Sequence, residues 1–163
     1  MLFAADDIQT QEGRSYLCPA FYASMRFGVT GVIGAQLADP FRRAIALLGD
    51  AAFQMTGMEL LTARRLGPKP IVIVVNNRTF TSLRAMGHQQ APFVNIPNLN
   101  YARLAEVLGG RGLLLETGRQ LQTALQLARD CDTFSILDVR IASDDVSPGL
   151  ERLGALFAKT LKG

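Results

Sequence analysis

The sequence predicts an α/β fold, in which a mostly parallel sheet is covered by helices on both faces to give three layers. Two observations predict it. Apolar periodicity switches repeatedly between a helical repeat and short continuous runs, as expected when both faces of a parallel sheet are covered. The chain also has 163 residues, 48% of them hydrophobic, which is enough to bury the core of a single domain spanning residues 1–163.

The first half of the chain is predicted to contain a helix, a strand, a second helix and a second strand. The first helix runs from Pro19 to Ala38, and its regularly spaced glycines permit close backbone approach at a cost in helix propensity. A buried strand follows at Ala44 to Leu48. Gln54 to Leu66 is predicted as a helix that ends near Gly67, and the β-branched run Ile71 to Val75 is too short for a helix and is a strand.

The N-terminus and the second half complete the pattern. Apolar residues 2–4 read as the end of a strand, so we expect the first strand of the fold to be truncated at the N-terminus. Residues 76–98 carry little periodicity and are predicted as a long irregular connection with one helical turn, and connections of that length are usually functional. The remaining predicted elements are helices at Tyr101 to Leu108, Gly118 to Arg129 and Pro148 to Leu161, and strands at Leu113 to Leu115 and Phe134 to Ile141.

Charge, cysteine content and the N-terminal sequence narrow the class of protein. The net charge of +3 comes from arginines that stand singly or in pairs, such as Arg42 with Arg43, and not from a basic run that would favour nucleic-acid binding. Cys18 and Cys131 lie far apart and belong to no metal-ligand motif, which favours two reduced thiols. The N-terminus has no signal-peptide pattern and no membrane span. We therefore expect a cytoplasmic protein with neither nucleic acid nor membrane as a partner.

A Gly-Asp turn marks the first candidate site. Gly49 and Asp50 follow a predicted strand, and the small residues Ala51 and Ala52 come next. Small residues let a phosphate group reach backbone amides, and open α/β sheets bind ligands at the carboxyl ends of their strands. The carboxylate of Asp50 would repel a bare diphosphate. The conflict disappears if Asp50 binds a hard cation such as Mg²⁺ that bridges to phosphate oxygens.

A pair of asparagines ends the next predicted strand at the same edge of the sheet. A Gly-Asp turn alone is typical of a surface turn, and Asn76 with Asn77 is equally ordinary alone. The combination is more specific, because Asn77 follows Asp50 by 27 residues (77 − 50) across a strand, turn, helix and strand. The residues by themselves leave open a generic phosphate-binding α/β protein, for which Asn77→Ala would change nothing.

This arrangement resembles the thiamine-diphosphate-dependent enzymes, whose cofactor domain carries a Gly-Asp-Gly motif followed at about this distance by Asn-Asn. The chain is similar to the 2-oxo acid decarboxylases over FYASMRFGVTGVIGAQLADPFRRAIALLGDAAFQMTGMELLTARRLGPKPIVIVVNN, and the similarity continues through FVNIPNLNYARLAEVLGG to the last helix. Within that group it most resembles the phenylpyruvate and indolepyruvate decarboxylases. The resemblance implies the diphosphate-binding domain of a lyase that converts an aryl or indole pyruvate to an aldehyde and CO₂.

Carried over by position, the resemblance implies a site for thiamine diphosphate and Mg²⁺. The carboxylate of Asp50, the side chain of Asn77 and the main-chain carbonyl of Thr79 would bind Mg²⁺. The other implied cofactor contacts are Gly49 and the amides of Ala51 and Ala52 with the diphosphate, the carbonyl of Ala23 with the aminopyrimidine, and Met25 as the apolar prop of the bent cofactor.

Several positions depart from the family pattern. Ala51 replaces the last glycine of the Gly-Asp-Gly motif, which matters only if that residue needs a positive φ. Arg26 replaces a glycine, and it either weakens cofactor binding or reaches solvent or the diphosphate. Leu83 stands where pyruvate decarboxylases have a catalytic glutamate, and an apolar side chain cannot shuttle a proton, which favours the phenylpyruvate-like branch. His88 is expected to be a solvated loop residue, and Glu59 a structural one.

The resemblance places no catalytic residue on this chain. In the family, the glutamate that activates the cofactor lies on the pyrimidine-binding domain of a neighbouring subunit. We therefore expect that domain, a 2-oxo acid and a homo-oligomeric assembly as partners, with apolar surface on the helix from Phe21 to Leu37. The chain is then a fragment or a separately encoded domain that is inactive alone. Two alternatives stay open: a truncated module that binds no cofactor, and a domain of an acetolactate-type carboligase.

Overall fold

Helices and strands alternate along the chain, as the sequence predicts. The computed structural model describes residues 8–10, 16–19, 21–22, 24–88 and 91–160. The strands are β1 Ile45–Gly49, β2 Ile71–Asn76, β3 Arg111–Leu115 and β4 Ser135–Arg140. The helices are α1 Phe27–Ala38, α2 Asp50–Thr56, α3 Leu60–Leu66, α4 Thr81–Ala85, α5 Tyr101–Val107, α6 Gly118–Arg129 and α7 Pro148–Thr160, with short 3₁₀ turns at Gly57–Glu59 and Pro92–Val94.

The described strands form one parallel sheet in the order β1-β2-β4-β3. One face of the sheet carries a core cluster to which α1, α2, α3 and α5 contribute, including Phe53, Leu60 and Tyr101. The other face packs against α6 through a smaller cluster that includes Leu137 and Ala128. Helices therefore cover both faces, and the predicted three-layer α/β fold is confirmed.

The first helix is shorter than predicted. It begins at Phe27 and not at Pro19, and the described residues before it are irregular or in turns. Phe21 and Tyr22 are 105% and 89% exposed. Most of the stability of a helix in a protein comes from packing one of its faces, and these two exposed side chains contribute no such packing.

The second helix was predicted with the wrong start. Helical structure begins at Asp50, directly after β1, and not at Gln54. It is interrupted by the 3₁₀ turn at Gly57–Glu59, where a Cβ on Gly57 would lie 2.4 Å from the Phe53 ring. The predicted end is confirmed, because Gly67 has φ +95° and donates its N–H to the carbonyl of Ala63.

Differences elsewhere are small. The predicted strands and the later helices agree with the structure to within about two residues, which is the usual scatter of element ends. The connection after β2 contains α4 and a 3₁₀ turn, where one helical turn was expected. Residues 2–4, predicted as the end of a strand, lie outside the described residues. Within the described ranges, no helix is both long and apolar enough to cross a membrane.

Candidate functional site

Asp50 lies at the carboxyl end of β1 as the first residue of α2, and it is only 1% exposed. Its Oδ1 accepts a hydrogen bond from the Ala51 N–H at 2.8 Å, and its Oδ2 accepts one from the Arg78 N–H at 2.7 Å. The second bond joins the Gly-Asp turn directly to the turn that follows Asn76 and Asn77. The structure thus brings together the two segments that the sequence placed at one sheet edge.

Asn77 and Thr79 are both buried just beyond the end of β2. The Asn77 side chain is held at both ends, because its Oδ1 accepts from the Thr79 N–H at 3.3 Å and its Nδ2 donates to the hydroxyl of Thr81. The Thr79 hydroxyl donates to the carbonyl of Val94 at 3.0 Å. The oxygen-bearing groups at this edge are therefore ordered by contacts within the chain.

Arg78 fixes the shape of the turn between Asn77 and Thr79. Its φ of +60° is the one positive value at a non-glycine position among the described residues. Non-glycine residues rarely adopt this left-handed conformation, which costs roughly 1–2 kcal/mol. Here it accompanies the N–H donation to Asp50 and a 2.9 Å hydrogen bond from the Ile96 N–H to the Arg78 carbonyl. Nothing in the sequence marks this position, since glycine or asparagine would be the usual signal.

The electrostatics of Asp50 favour a bound cation. Burial raises the pKa of the Asp50 carboxyl above its ordinary 3.8, hydrogen bonds from the Ala51 and Arg78 amides partly oppose that shift, and the charge of Asp138 adds to it. In the described part of the chain, no cationic side chain forms an ion pair with Asp50. A divalent cation would stabilise the ionised carboxylate.

The donor set fits magnesium better than a transition metal. One carboxylate, one amide oxygen and main-chain carbonyls are the hard oxygen ligands that Mg²⁺ prefers, and Mg²⁺ usually completes its shell with water and substrate phosphates. The described residues contain no cluster of three or more His, Cys, Asp and Glu side chains suited to a metal ion. A site of this kind therefore needs phosphate oxygens as further ligands.

Gly49 leaves open space beside Asp50, and the two residues that follow Asp50 are small. A Cβ on Gly49 would meet no atom within 4 Å, and Ala51 and Ala52 are buried in the first turn of α2. Ala51 lies in helical backbone and needs no positive φ, which removes the objection raised by its replacement of a glycine. Its N–H is engaged by the Asp50 carboxylate, so a phosphate would have to share or displace that hydrogen bond.

The predicted contacts ahead of α1 lie partly outside the described residues. Ala23 is among the residues that the structure does not describe. Met25 lies in the turn before α1 and is 38% exposed. Arg26 is exposed at the first turn of α1, and its carbonyl accepts from the Thr56 hydroxyl at the end of α2 at 3.2 Å. This turn therefore lies against the helix that begins with Asp50.

A buried polar network next to the site was not foreseen from the sequence. Asp138 in β4 is fully buried and accepts hydrogen bonds from Asn76 Nδ2 at 2.8 Å and from the Tyr101 N–H at 3.0 Å. The Arg140 guanidinium is 3.4 Å from the same carboxylate. An acid inside the apolar run FSILDVRI was the available signal, because a buried charge needs partners.

A cavity of about 490 Å³ lies between α4 and α7. Thr81 lines it and also accepts from Asn77, so the cavity adjoins the sheet edge that holds the candidate ligands. Leu83 lies on α4 and is half-buried, while His88 is exposed with its ring 5.7 Å from that of Phe93. Glu59 is exposed and accepts from the Thr62 hydroxyl, away from Asp50.

The family model of the thiamine pyrophosphate enzymes, for their C-terminal TPP-binding domain, matches residues 1–139. The chain belongs to this family. The resemblance seen in the sequence is thereby confirmed, and the chain is a thiamine-diphosphate-binding domain of the kind found at the C-terminus of 2-oxo acid decarboxylases.

Several similar proteins are named as decarboxylases of 2-oxo acids. The chain is 41% identical over 137 residues to an indole-3-pyruvate decarboxylase of Azospirillum brasilense, covering 83% of this chain and 25% of that protein. It is 34% identical over 125 residues to an alpha-keto-acid decarboxylase of Mycobacterium tuberculosis, covering 75% and 22%. The structure of a thiamine diphosphate-dependent 4-hydroxybenzoylformate decarboxylase of Rhodococcus jostii RHA1 has a TM-score of 0.68 and 30% identity, covering 74% of this chain and 24% of that one. The chain thus spans about a quarter of the length of these relatives.

Proposed function

We propose that this chain provides the magnesium and diphosphate half of the active site of a 2-oxo acid decarboxylase that acts on an aryl or indole pyruvate. The observation that supports this most directly is the 2.7 Å hydrogen bond from the Arg78 N–H to Asp50, which joins the two predicted ligand segments. In this proposal Asp50, Asn77 and the Thr79 carbonyl bind Mg²⁺. Gly49 and the amides of Ala51 and Ala52 would contact the diphosphate, as the resemblance implies.

The chain's own groups would bind and orient the cofactor. Asp50 would stay ionised with Mg²⁺ offsetting the burial that raises its pKa. The Thr81 hydroxyl holds the Asn77 amide nitrogen, and the amide oxygen, which accepts one hydrogen bond from the Thr79 N–H, keeps a second lone pair for the metal. Ala23 and Met25 are proposed to contact the aminopyrimidine and the bent ring system. When bound, thiamine diphosphate supplies the carbon centre that takes up the electrons released as CO₂ leaves the 2-oxo acid.

The side chain of the substrate is proposed from two features. Leu83 replaces the acidic residue expected of a pyruvate decarboxylase and lies on α4, the helix whose Thr81 contacts Asn77. The relatives named for indole-3-pyruvate and 4-hydroxybenzoylformate act on acids with an aromatic group. An apolar residue beside the site suits such a group, because it can pack against an aromatic ring but cannot transfer a proton.

A partner domain is proposed to cover the apolar surface ahead of and beside α1. Phe21, Tyr22 and Phe41 are each at least 89% exposed, and Met25 is 38% exposed. Large apolar side chains that are exposed to this degree are candidates for an interaction surface. We propose that they contact a pyrimidine-binding domain in a homo-oligomeric assembly, which would also supply the catalytic glutamate. Sedimentation of the chain as a clean monomer at high concentration would count against the surface being associative.

Calorimetric titration of the chain with thiamine diphosphate in the presence and absence of Mg²⁺ tests the proposal. We expect saturable binding that requires Mg²⁺ and is lost in Asp50→Ala. The matched control is Asp132→Ala, which removes the same charge from an exposed residue on the segment before β4, at the amino edge of the sheet. Absence of binding at millimolar cofactor would refute the proposal for this chain and favour a cofactor-free module. Unchanged binding in Asn77→Ala would favour a generic phosphate site.

A further inference from the structure

The central strand β4 contains a buried acidic residue, Asp138, among mostly apolar neighbours in the sheet. Asp138 lies between β2 and β3, paired in register with Val74 and Leu114, and its side chain is fully buried. Burying a carboxylate is costly unless it is hydrogen-bonded, and local rules of this kind are most often broken at functional positions. Asp138 therefore calls for an explanation beyond packing.

We propose that Asp138 is a positioning residue for the candidate metal edge, so this inference rests on the function proposed above. Its carboxylate links two segments of the site: the Asn76–Asn77 end of β2 and, through Tyr101, the helix that begins with Asp50. In this role it acts through Asn76 and Tyr101, with which it is hydrogen-bonded.

The link to β2 fixes the orientation of Asn76. An ionised carboxylate only accepts hydrogen bonds, so the Asn76 amide must turn its Nδ2 towards Asp138, where it donates at 2.8 Å. The same Nδ2 donates to the Leu99 carbonyl at 3.3 Å, while the buried Asn76 Oδ1 has no partner among the described residues. The amide is thus held from its nitrogen side, at the residue directly before the proposed ligand Asn77.

The link to α2 runs through the start of α5. The Tyr101 N–H donates to Asp138 at 3.0 Å, and the Tyr101 hydroxyl accepts from Gln54 Nε2 at 2.8 Å. The Tyr101 ring also meets the Phe53 ring edge to face, with centroids 5.2 Å apart. Phe53 and Gln54 both belong to α2, so the carboxylate supports the Asp50 side of the site as well.

A simpler view is that Asp138 only caps the N-terminus of α5. The two views differ in how far a change at Asp138 reaches. A cap would affect stability and α5 alone, whereas a positioning residue also affects the geometry of Asn77 to Thr79 and the affinity for the metal and cofactor.

Asp138→Asn is the test variant, because it keeps the shape of the side chain and one acceptor oxygen. Its NH₂ group, however, places a hydrogen-bond donor opposite another donor, either the Asn76 Nδ2 or the Tyr101 N–H. Ile136→Val is the matched control: it weakens packing in the same strand and on the same face, without touching the polar network. Two measurements are made on each chain: the affinity for thiamine diphosphate at saturating Mg²⁺ by calorimetry, and the backbone amide chemical shifts of the cofactor-free chain by NMR.

We expect Asp138→Asn to weaken Mg²⁺-dependent binding of thiamine diphosphate by roughly 10-fold, the lower end of the effect of removing a partner of a metal ligand, because Asp138 contacts the residue next to the ligand. The amide shifts of Asn77 to Thr79 should move in this variant and stay in place in Ile136→Val. Equal affinity in Asp138→Asn and wild type, or shift changes confined to α5, would overturn the inference.

The inference stays testable if wild type does not bind the cofactor or if the variant does not fold. If wild type itself binds no thiamine diphosphate, the proposed function fails for this chain, and the NMR shifts alone decide whether Asp138 orders the turn. If Asp138→Asn does not fold, Asn76→Ala removes the same hydrogen bond from its other side and must displace the amide shifts of Arg78 and Thr79, which do not adjoin the substituted residue. Unmoved shifts in Asn76→Ala would overturn the inference.

Discussion

Replacing Arg78 by glycine should stabilise the chain, although it shortens a side chain at the edge of the candidate site. Arg78 holds a φ of +60°, its side chain is exposed, and its contacts at this turn are made by the backbone, through its N–H to Asp50 and its carbonyl from Ile96. Glycine can make the same backbone contacts without the steric penalty of a Cβ.

The expected gain follows from two opposing quantities. The left-handed conformation costs a non-glycine residue roughly 1–2 kcal/mol, which glycine avoids. Glycine in turn adds roughly 0.4–1 kcal/mol of conformational entropy to the unfolded chain. The balance is a rise of roughly 0–1.6 kcal/mol in the free energy of unfolding, centred near 0.8 kcal/mol, which corresponds to about 2–3 °C in melting temperature for a chain of this size. Arg78→Val should move the other way by about 1 kcal/mol or more, because β-branched residues fit this region worst.

Urea unfolding followed by far-ultraviolet circular dichroism measures these changes, since the chain has no tryptophan for fluorescence. Gln122→Gly, at an exposed position inside α6, is the control and should cost about 1 kcal/mol. If Arg78→Gly destabilises the chain as much as the control does, the turn is not left-handed in solution. The geometry that delivers the Arg78 N–H to Asp50 would then be wrong.

Three further predictions concern the surroundings of the site and the sheet. Because burial raises the pKa of Asp50 above 3.8, folding favours the protonated form of its carboxyl. The stability of wild type relative to Asp50→Asn should therefore be greatest below pH 3.8 and should fall as pH rises through the folded-state pKa. Urea unfolding midpoints of both chains at a series of pH values check this. Ala51→Gly should lower the free energy of unfolding by roughly 0.5–1 kcal/mol, and a stabilised variant in thermal unfolding would contradict helical backbone there. Arg43→Met should lower the free energy of unfolding in urea by about 2–3 kcal/mol, because the Arg43 guanidinium donates hydrogen bonds to three main-chain carbonyls in residues 129–133. The control Arg103→Met, at an exposed position of α5, should have little effect.

Much of the fold follows from apolar patterning, and the exceptions have physical causes. Short β-branched runs such as Ile71 to Val75 have few alternatives to a buried strand, and Gly67 ends its helix as a left-handed cap. Phe21 and Tyr22, ahead of Phe27, are as apolar as the residues of α1, but their side chains are almost fully exposed. A local pattern reports which residues are able to pack, and it carries no information on whether a partner surface is present.

The site was predictable where backbone direction alone decides position. Asp50 and Asn77 follow parallel strands, so their proximity is a consequence of the sheet. The left-handed turn at Arg78 and the identity of the partners of Asp138 were not predictable, because both depend on contacts between segments far apart in the chain. Residue type signals such features only when it is extreme, as glycine at a turn or an acid in an apolar strand can be.

The candidate site has well-ordered side chains, but it also has a buried carboxylate without an ion-pair partner in the described part of the chain and exposed aromatic groups in its surroundings. Its oxygen-bearing side chains are already fixed by hydrogen bonds within the chain, so binding a metal there should cost little ordering entropy. The buried carboxylate of Asp50, however, has a raised pKa and forms no ion pair among the described residues. In addition, the aromatic side chains of Phe21, Tyr22 and Phe41, which flank α1 in the sequence, are almost fully exposed. A cation that neutralises the Asp50 carboxylate would stabilise the chain by binding only its folded form, and so would a partner domain that covers the exposed aromatic side chains. Cofactor loading and assembly should therefore raise the melting temperature together by more than either does alone, provided the partner contacts the bound cofactor, as in the arrangement proposed here.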